Sequence, residues 1–200
     1  MINKLSFSLF ALTAIIFFSF TGISTTLTNF KVDTKKSKLN WIGKKVTGEH
    51  TGDISISSGI LVVDGKLVKS GTFDIDMKSI TVTDLKDSTY NQKLLGHLKS
   101  EDFFNIEKHS KANFVISKVT PKSGNDYDVS GKLTIKNITH DITFPATITS
   151  TATNLTAVAK IVVDRTKYDI KYGSGSFFDN LGDKAIDNDF ILNLNLVASK

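Results

Sequence analysis

Apolar and polar residues alternate along most of this chain, and that period of two predicts an all-β protein. Leu39, Trp41 and Gly43 face one way while Asn40, Ile42 and Lys44 face the other. Ile54, Ile56, Ser58 and Ile60 alternate up to Asp64-Gly65, a strong two-residue hairpin turn. The return strand passes Gly71 and sets Phe73, Ile75 and Met77 against Asp74, Asp76 and Lys78. Asn113 to Thr120 is a further strand, followed by one with Tyr127, Val129, Gly131, Leu133 and Ile135 on one face. A tight turn near Asn137 leads into Ile138, His140, Ile142, Phe144, Ala146 and Ile148. Leu155 to Asp164 continues the pattern, and Phe190, Leu192, Leu194 and Leu196 close it. About eight strands result, in the order of an antiparallel meander.

Residues 96–109 break the alternation. Leu94, Leu95, Leu98, Phe103 and Phe104 recur at roughly helical spacing beside a polar face of Lys99, Glu101 and Asp102, which predicts a short helical insert. Two adjacent aromatics on such an insert would close or line one end of the sheet.

Each strand carries one apolar face, and those faces must meet. A closed barrel achieves this without exposed edges, so an elongated eight-stranded antiparallel barrel is the expected architecture. Strands of about ten residues give a barrel roughly 30 Å tall. Alternation alone leaves open whether Phe73, Met77, Phe114, Leu133 and Phe144 fill the interior or enclose a cavity.

Composition narrows the class. Lys4 precedes an apolar run from Leu5 to Phe20, and Gly22 and Ser24 are small residues at the spacing of a cleavage site. Residues 1–24 are therefore expected to be a secretory signal peptide and residues 25–200 one exported domain. There are no cysteines, so stability must come from burial and hydrogen bonding. A net charge of +5 with acidic residues dispersed throughout argues against nucleic acid as a partner. It leaves transient contact with a membrane surface open.

Four blocks of sequence resemble one family. His97-Leu98-Lys99-Ser100-Glu101-Asp102-Phe103-Phe104, with Lys108 and then Ala112-Asn113-Phe114, resembles a block typical of the YceI-like proteins. Gly131 to His140 is similar to that family's second hairpin fingerprint, Ser79 to Thr83 to its strand end, and Asp164 to Ile170 to its late arginine-containing segment. The resemblance covers nearly all of residues 25–200. It implies a lipocalin-like barrel in the periplasm that holds an isoprenoid lipid, such as a quinone or a polyprenyl compound, in its lumen without catalysis. No other cofactor is implied, and a homodimer remains open. The ligand contacts this implies are Trp41, Phe73, Ile75, Met77, Phe114, Leu133, Ile135 and Phe144 inside, with Phe177 and Phe178 over the rim. The family often carries an Arg-Asp pair where this chain has Leu94 and Leu95, which points toward an uncharged head group.

Other chemistry has a weaker basis. His97 and Glu101 have the i, i+4 spacing of a metal-ligand pair, with Asp102 and His109 nearby, but no third ligand stands at a motif spacing. A metal-dependent enzyme and a structural or partner-binding barrel with a filled core stay as alternatives. Gly173-Ser174-Gly175-Ser176 is followed by Phe177 rather than the glycine of a nucleophile elbow, so it reads as a rim loop. Arg165 is the sole arginine, and its expected role is a structural salt bridge with an aspartate.

Overall fold

The computed structural model describes residues 27–200. The expected signal peptide lies outside them. Ten strands form one antiparallel sheet: β1 (Leu27–Val32), β2 (Lys38–Lys45), β3 (Gly48–Asp53), β4 (Ser55–Asp64), β5 (Leu67–Asp76), β6 (Lys111–Pro121), β7 (Asp126–Ile135), β8 (Ile138–Ser150), β9 (Asn154–Asp164) and β10 (Ile186–Ser199). They occupy only eight positions around a ring. β1 and β2 lie end to end along β10, where Val32 pairs with Ala198 and Lys38 with Asn195. β3 and β4 lie end to end beside them, with Asn40 opposite Asp53 and Phe30 opposite Leu61. The β1–β10 pairing closes the barrel.

The break between β1 and β2 is repaired by side chains. Asp33 accepts from the backbone N–H groups of Lys35 and Lys36, both at 3.1 Å. Ser37 turns its hydroxyl onto β10, donating to the Val197 carbonyl at 3.2 Å and accepting from the Val197 N–H at 3.0 Å. The backbone groups of Val197 thus stay satisfied where a ladder partner is missing.

A second repair covers the free edge of β3. After β5 the chain makes a 3-10 turn at Met77–Ser79, and then Thr81 and Thr83 donate to the carbonyls of Asp53 and Thr51, both at 2.9 Å. Trp41 reaches across β3 to the same strip, its indole N–H donating to the Thr81 carbonyl at 2.9 Å. Gly52 makes this crossing possible, because a Cβ there would stand 2.6 Å from the indole nitrogen and 1.8 Å from the Thr81 oxygen.

Two sequence expectations need correction. Ile54 and Ile56 face inward, but a bulge between Ile56 and Ser58 flips the parity of the rest of β4. Ile60 is consequently 47% exposed, and Gly59, Leu61 and Val63 take the inner face. The helix also starts earlier than its apolar spacing suggests. α1 spans Ser88–Lys99, capped by the Asp87 carboxylate on the N–H groups of Thr89 and Tyr90. It ends at Ser100, so Glu101, Phe103 and Phe104 sit in the tight turns that follow.

All these connections put α1, the β2–β3 and β7–β8 turns and residues 165–185 at one end of the barrel. The other end, by the Asp64-Gly65 turn, is filled by the buried side chains of Phe30, Val32, Val63 and Ala198. Replacing Gly52 by Ala is expected to displace Trp41 or the Thr81 strip. The loss in stability is about 3 kcal/mol, measured by urea unfolding against the unaltered protein.

Candidate functional site

Inside the ring lies an apolar cavity of about 190 Å³. Its wall is asymmetric. Phe73, Phe114 and Phe144, on β5, β6 and β8, pack ring to ring with centroids 6.3 and 5.5 Å apart. Ala146, Ala157 and Ala159 on β8 and β9 also line the cavity, with Ala146 directly opposite Ala159. Rings on some strands and single methyl groups on others leave a slot that neither set fills.

Eight of the residues expected to face the interior stand in this wall: Trp41, Phe73, Ile75, Met77, Phe114, Leu133, Ile135 and Phe144. Phe177 and Phe178 do not. They are 49% and 50% exposed, outside the wall, and Phe177 lies under the Lys171 ammonium at 5.3 Å. The reason is Ser174, which takes the buried place in that loop. Its hydroxyl donates to Asn188 at 2.6 Å and accepts from the Ser176 N–H at 3.2 Å, and the aromatics that follow turn out to solvent. Ile186 and Phe190 complete the wall there instead.

At the mouth, Leu98, Phe103 and Phe104 form a lid, and Phe104 meets Phe190 edge to face at 6.4 Å. Charge enters the lining only here, through Lys44, Arg165, Asp187 and Asp189. Arg165 is 3% exposed and, among the described residues, makes no salt bridge; the expectation of one is corrected. Its guanidinium donates instead to three backbone carbonyls, of Ile170 at 2.7 Å, Asp187 at 2.9 Å and Ile186 at 3.0 Å, and lies 5.7 Å from the Phe103 ring centre. Burial lowers its pKa, and the nearby Asp164 and Asp187 carboxylates oppose that. Five fixed donors suit this clamp better than a carboxylate pair would, because the carbonyls of two chain segments converge on one plane.

Beside the mouth is a separate groove of about 520 Å³ between β3, α1 and Tyr172. His50 and His97 stand in its wall, with Tyr90, Lys93, Leu94 and Asp102. Nδ1 of His50 is 2.8 Å from the Asp84 carboxylate, which also accepts from the Thr51 N–H at 2.9 Å. His97 packs edge-on against Tyr172 at 4.4 Å and Phe103 at 4.9 Å. The structure does not bring His97 and Glu101 together, since Glu101 pairs with Lys108 at 3.3 Å out in solvent. Among the described residues no three histidine or acidic side chains converge as metal ligands. Ser174 and Ser176 both bond Asn188 rather than a histidine.

Sequence reasoning missed the alanine wall, the Arg165 clamp and the groove. The alanines were visible as inward positions on β8 and β9, and their small volume was the clue to a hollow interior.

The profile described as a YceI-like domain matches residues 30–198. A UPF0312 protein of Pectobacterium atrosepticum is 32% identical over 83 residues, covering 38% of this chain and 43% of the relative. The YceI protein of Escherichia coli O17:K52:H18 gives the same figures, 32% over 83 residues. The match thus spans under half the length of these curated relatives. Among solved structures, Burkholderia cenocepacia BcnA is similar at 27% identity, with a TM-score of 0.66 over 83% of this chain and 98% of that one. A polyisoprenoid-binding domain from Saccharophagus degradans, 14% identical, has a TM-score of 0.59 over 85% and 97% of the two chains and shares the fold.

Two variants test how the mouth is held. Arg165→Lys keeps the charge but loses the planar fork, and is expected to lower stability by about 3 kcal/mol in denaturant titration. Tyr168, 1% exposed at the end of the 165–168 turn, has a hydroxyl with no hydrogen-bond partner among the described residues. Burial first, then the Asp164 charge, pushes its pKa from 10.0 up to about 12. A proton held more tightly in the folded state stabilises the fold below pH 10, and that contribution is lost as pH rises through about 12. Tyr168→Phe is expected to remove this alkaline step and, because it deletes a buried hydroxyl without a partner, to be at least as stable as the unaltered protein at pH 7, as read from thermal unfolding across that range.

Proposed function

The chain belongs to the YceI-like family, and from that membership we propose that it is a non-catalytic, exported binding protein for a long isoprenoid lipid, held tail-inward in the barrel for transport or storage. The observation that carries this reading is the apolar cavity itself, bounded by Phe73, Phe114 and Phe144 and by Ala146, Ala157 and Ala159. Its lining is apolar along the wall and carries charge only at the mouth, which suits an apolar chain with its polar end outward. Burial at roughly 0.8 kcal/mol per CH₂ supplies affinity that rises with chain length, and it needs no polar recognition along the wall.

The solved polyisoprenoid-binding domain from Saccharophagus degradans supports the ligand class through a shared fold. A quinone or a polyprenyl compound with an uncharged head agrees with Leu94 and Leu95, which stand where the family often carries an Arg-Asp pair. The periplasmic location rests on the apolar run before residue 25.

Trp41, the only tryptophan of the chain, lines the cavity and reports on its contents. Native-purified protein extracted with organic solvent is expected to yield an isoprenoid lipid by mass spectrometry. Adding an isoprenoid quinone to stripped protein is expected to quench Trp41 to saturation at one equivalent. Repeated recovery of empty protein, together with no Trp41 response to quinone or polyprenol, would overturn the reading in favour of a structural barrel.

A further inference from the structure

The groove beside the mouth continues the inner wall of the barrel. His50 on β3 stands directly opposite Gly43 on β2, and opposed residues of an antiparallel pair project to the same face of the sheet. Gly43 lines the cavity, so His50 is the inward position beside it on the next strand. α1 links the two spaces in the same way, since Leu94 lines the groove and Leu98, one turn later, lines the cavity. Phe103 divides them. Its ring lines the cavity and packs on His97 at 4.9 Å and Tyr172 at 6.1 Å, both of which line the groove.

His50 is held in one tautomer. Burial pushes the Asp84 carboxyl up, but hydrogen bonds from His50 and from the Thr51 N–H outweigh it and leave its pKa lowered. Asp84 is therefore an acceptor, so His50 presents a proton to it on Nδ1, and in the neutral form of the ring Nε2 carries none. Nε2 then presents a lone pair, and among the described residues no protein donor reaches it. Lys93 and Asp102 both line the groove, so its wall carries balanced charge and gives an anionic head group no net attraction.

We propose that the groove is a head-group vestibule in which Nε2 of His50 accepts a hydrogen bond from a hydroxyl, making the protein selective for hydroxyl-ended isoprenoids. A prenol and a prenylated hydroquinone share that chemistry. The inference rests on the lumen reading above, with the tail in the cavity and the head above Phe103.

The test is a set of Trp41 fluorescence titrations on the full chain and on His50→Leu. The probes are a polyprenol, an isoprenoid hydrocarbon of matched length, and a prenylated hydroquinone with its oxidised quinone. His50→Leu is expected to weaken the polyprenol and the hydroquinone about tenfold, the loss of one hydrogen bond, and to leave the hydrocarbon and the quinone unchanged. Unchanged hydrocarbon binding also shows that the variant is folded. His50→Gln, which keeps a side-chain acceptor, is expected to recover part of the loss. A variant that binds all four probes as tightly as the unaltered protein does would overturn the vestibule, as would an equal loss across all four, while the lumen reading would stand. No binding of any probe to the unaltered protein would overturn the lumen reading and the vestibule with it.

Discussion

A ring of eight strands has a fixed circumference, and its inward side chains must either fill the space it encloses or leave part of it empty. Once Val32 meets Ala198 and the ring closes, every second residue is committed to that interior. The chain places phenylalanines on β5, β6 and β8 and alanines on β8 and β9, so the inner volume is unevenly occupied. A leucine at each of Ala146, Ala157 and Ala159 would fill the slot with the same backbone. The cavity is thus a consequence of side-chain size at a few positions, whereas the barrel is a consequence of period and closure.

That division explains what was legible beforehand. The existence of β2 and β4 to β10, the Asp64-Gly65 and Asn137 turns and the inward parity of β2 and β7 to β10 follow from alternation, which is a local property. The same alternation did not reveal β1 or β3, and bulges break the parity on β5 and β6. The parity of β4 beyond Ser57 was not legible, because a bulge adds one residue without any distinctive residue type to announce it. The extent of α1 was misread for a different reason. Leu98 is its only buried residue, so apolar spacing carried little information about where it begins. Phe177 and Phe178 illustrate a third case. Two adjacent aromatics suggest burial, yet Ser174 holds the interior position through partners on β10 that no local pattern reveals.

The polar features of the molecule gather at one end. The Arg165 clamp ties the turn after β9 to the start of β10, and Phe103 rests on it. Trp41 ties β2 to the strip that covers β3. Each of these bonds joins segments far apart in sequence, so the mouth is held by a few specific contacts, whereas the staves are held by continuous ladders. Local opening is cheapest where such contacts are few. The lid formed by Leu98, Phe103 and Phe104 therefore stands where the fold can yield without unzipping.

The opposite end, filled by Phe30, Val63 and Ala198, turns the barrel into a blind tube. A tube closed at one end sorts its contents by direction. A linear amphiphile can thread it only tail first, comes to a stop against the floor, and keeps its polar end at the lip. Two molecules that differ only in length would then present their heads at different heights above that lip. Depth becomes a ruler, read at the lip.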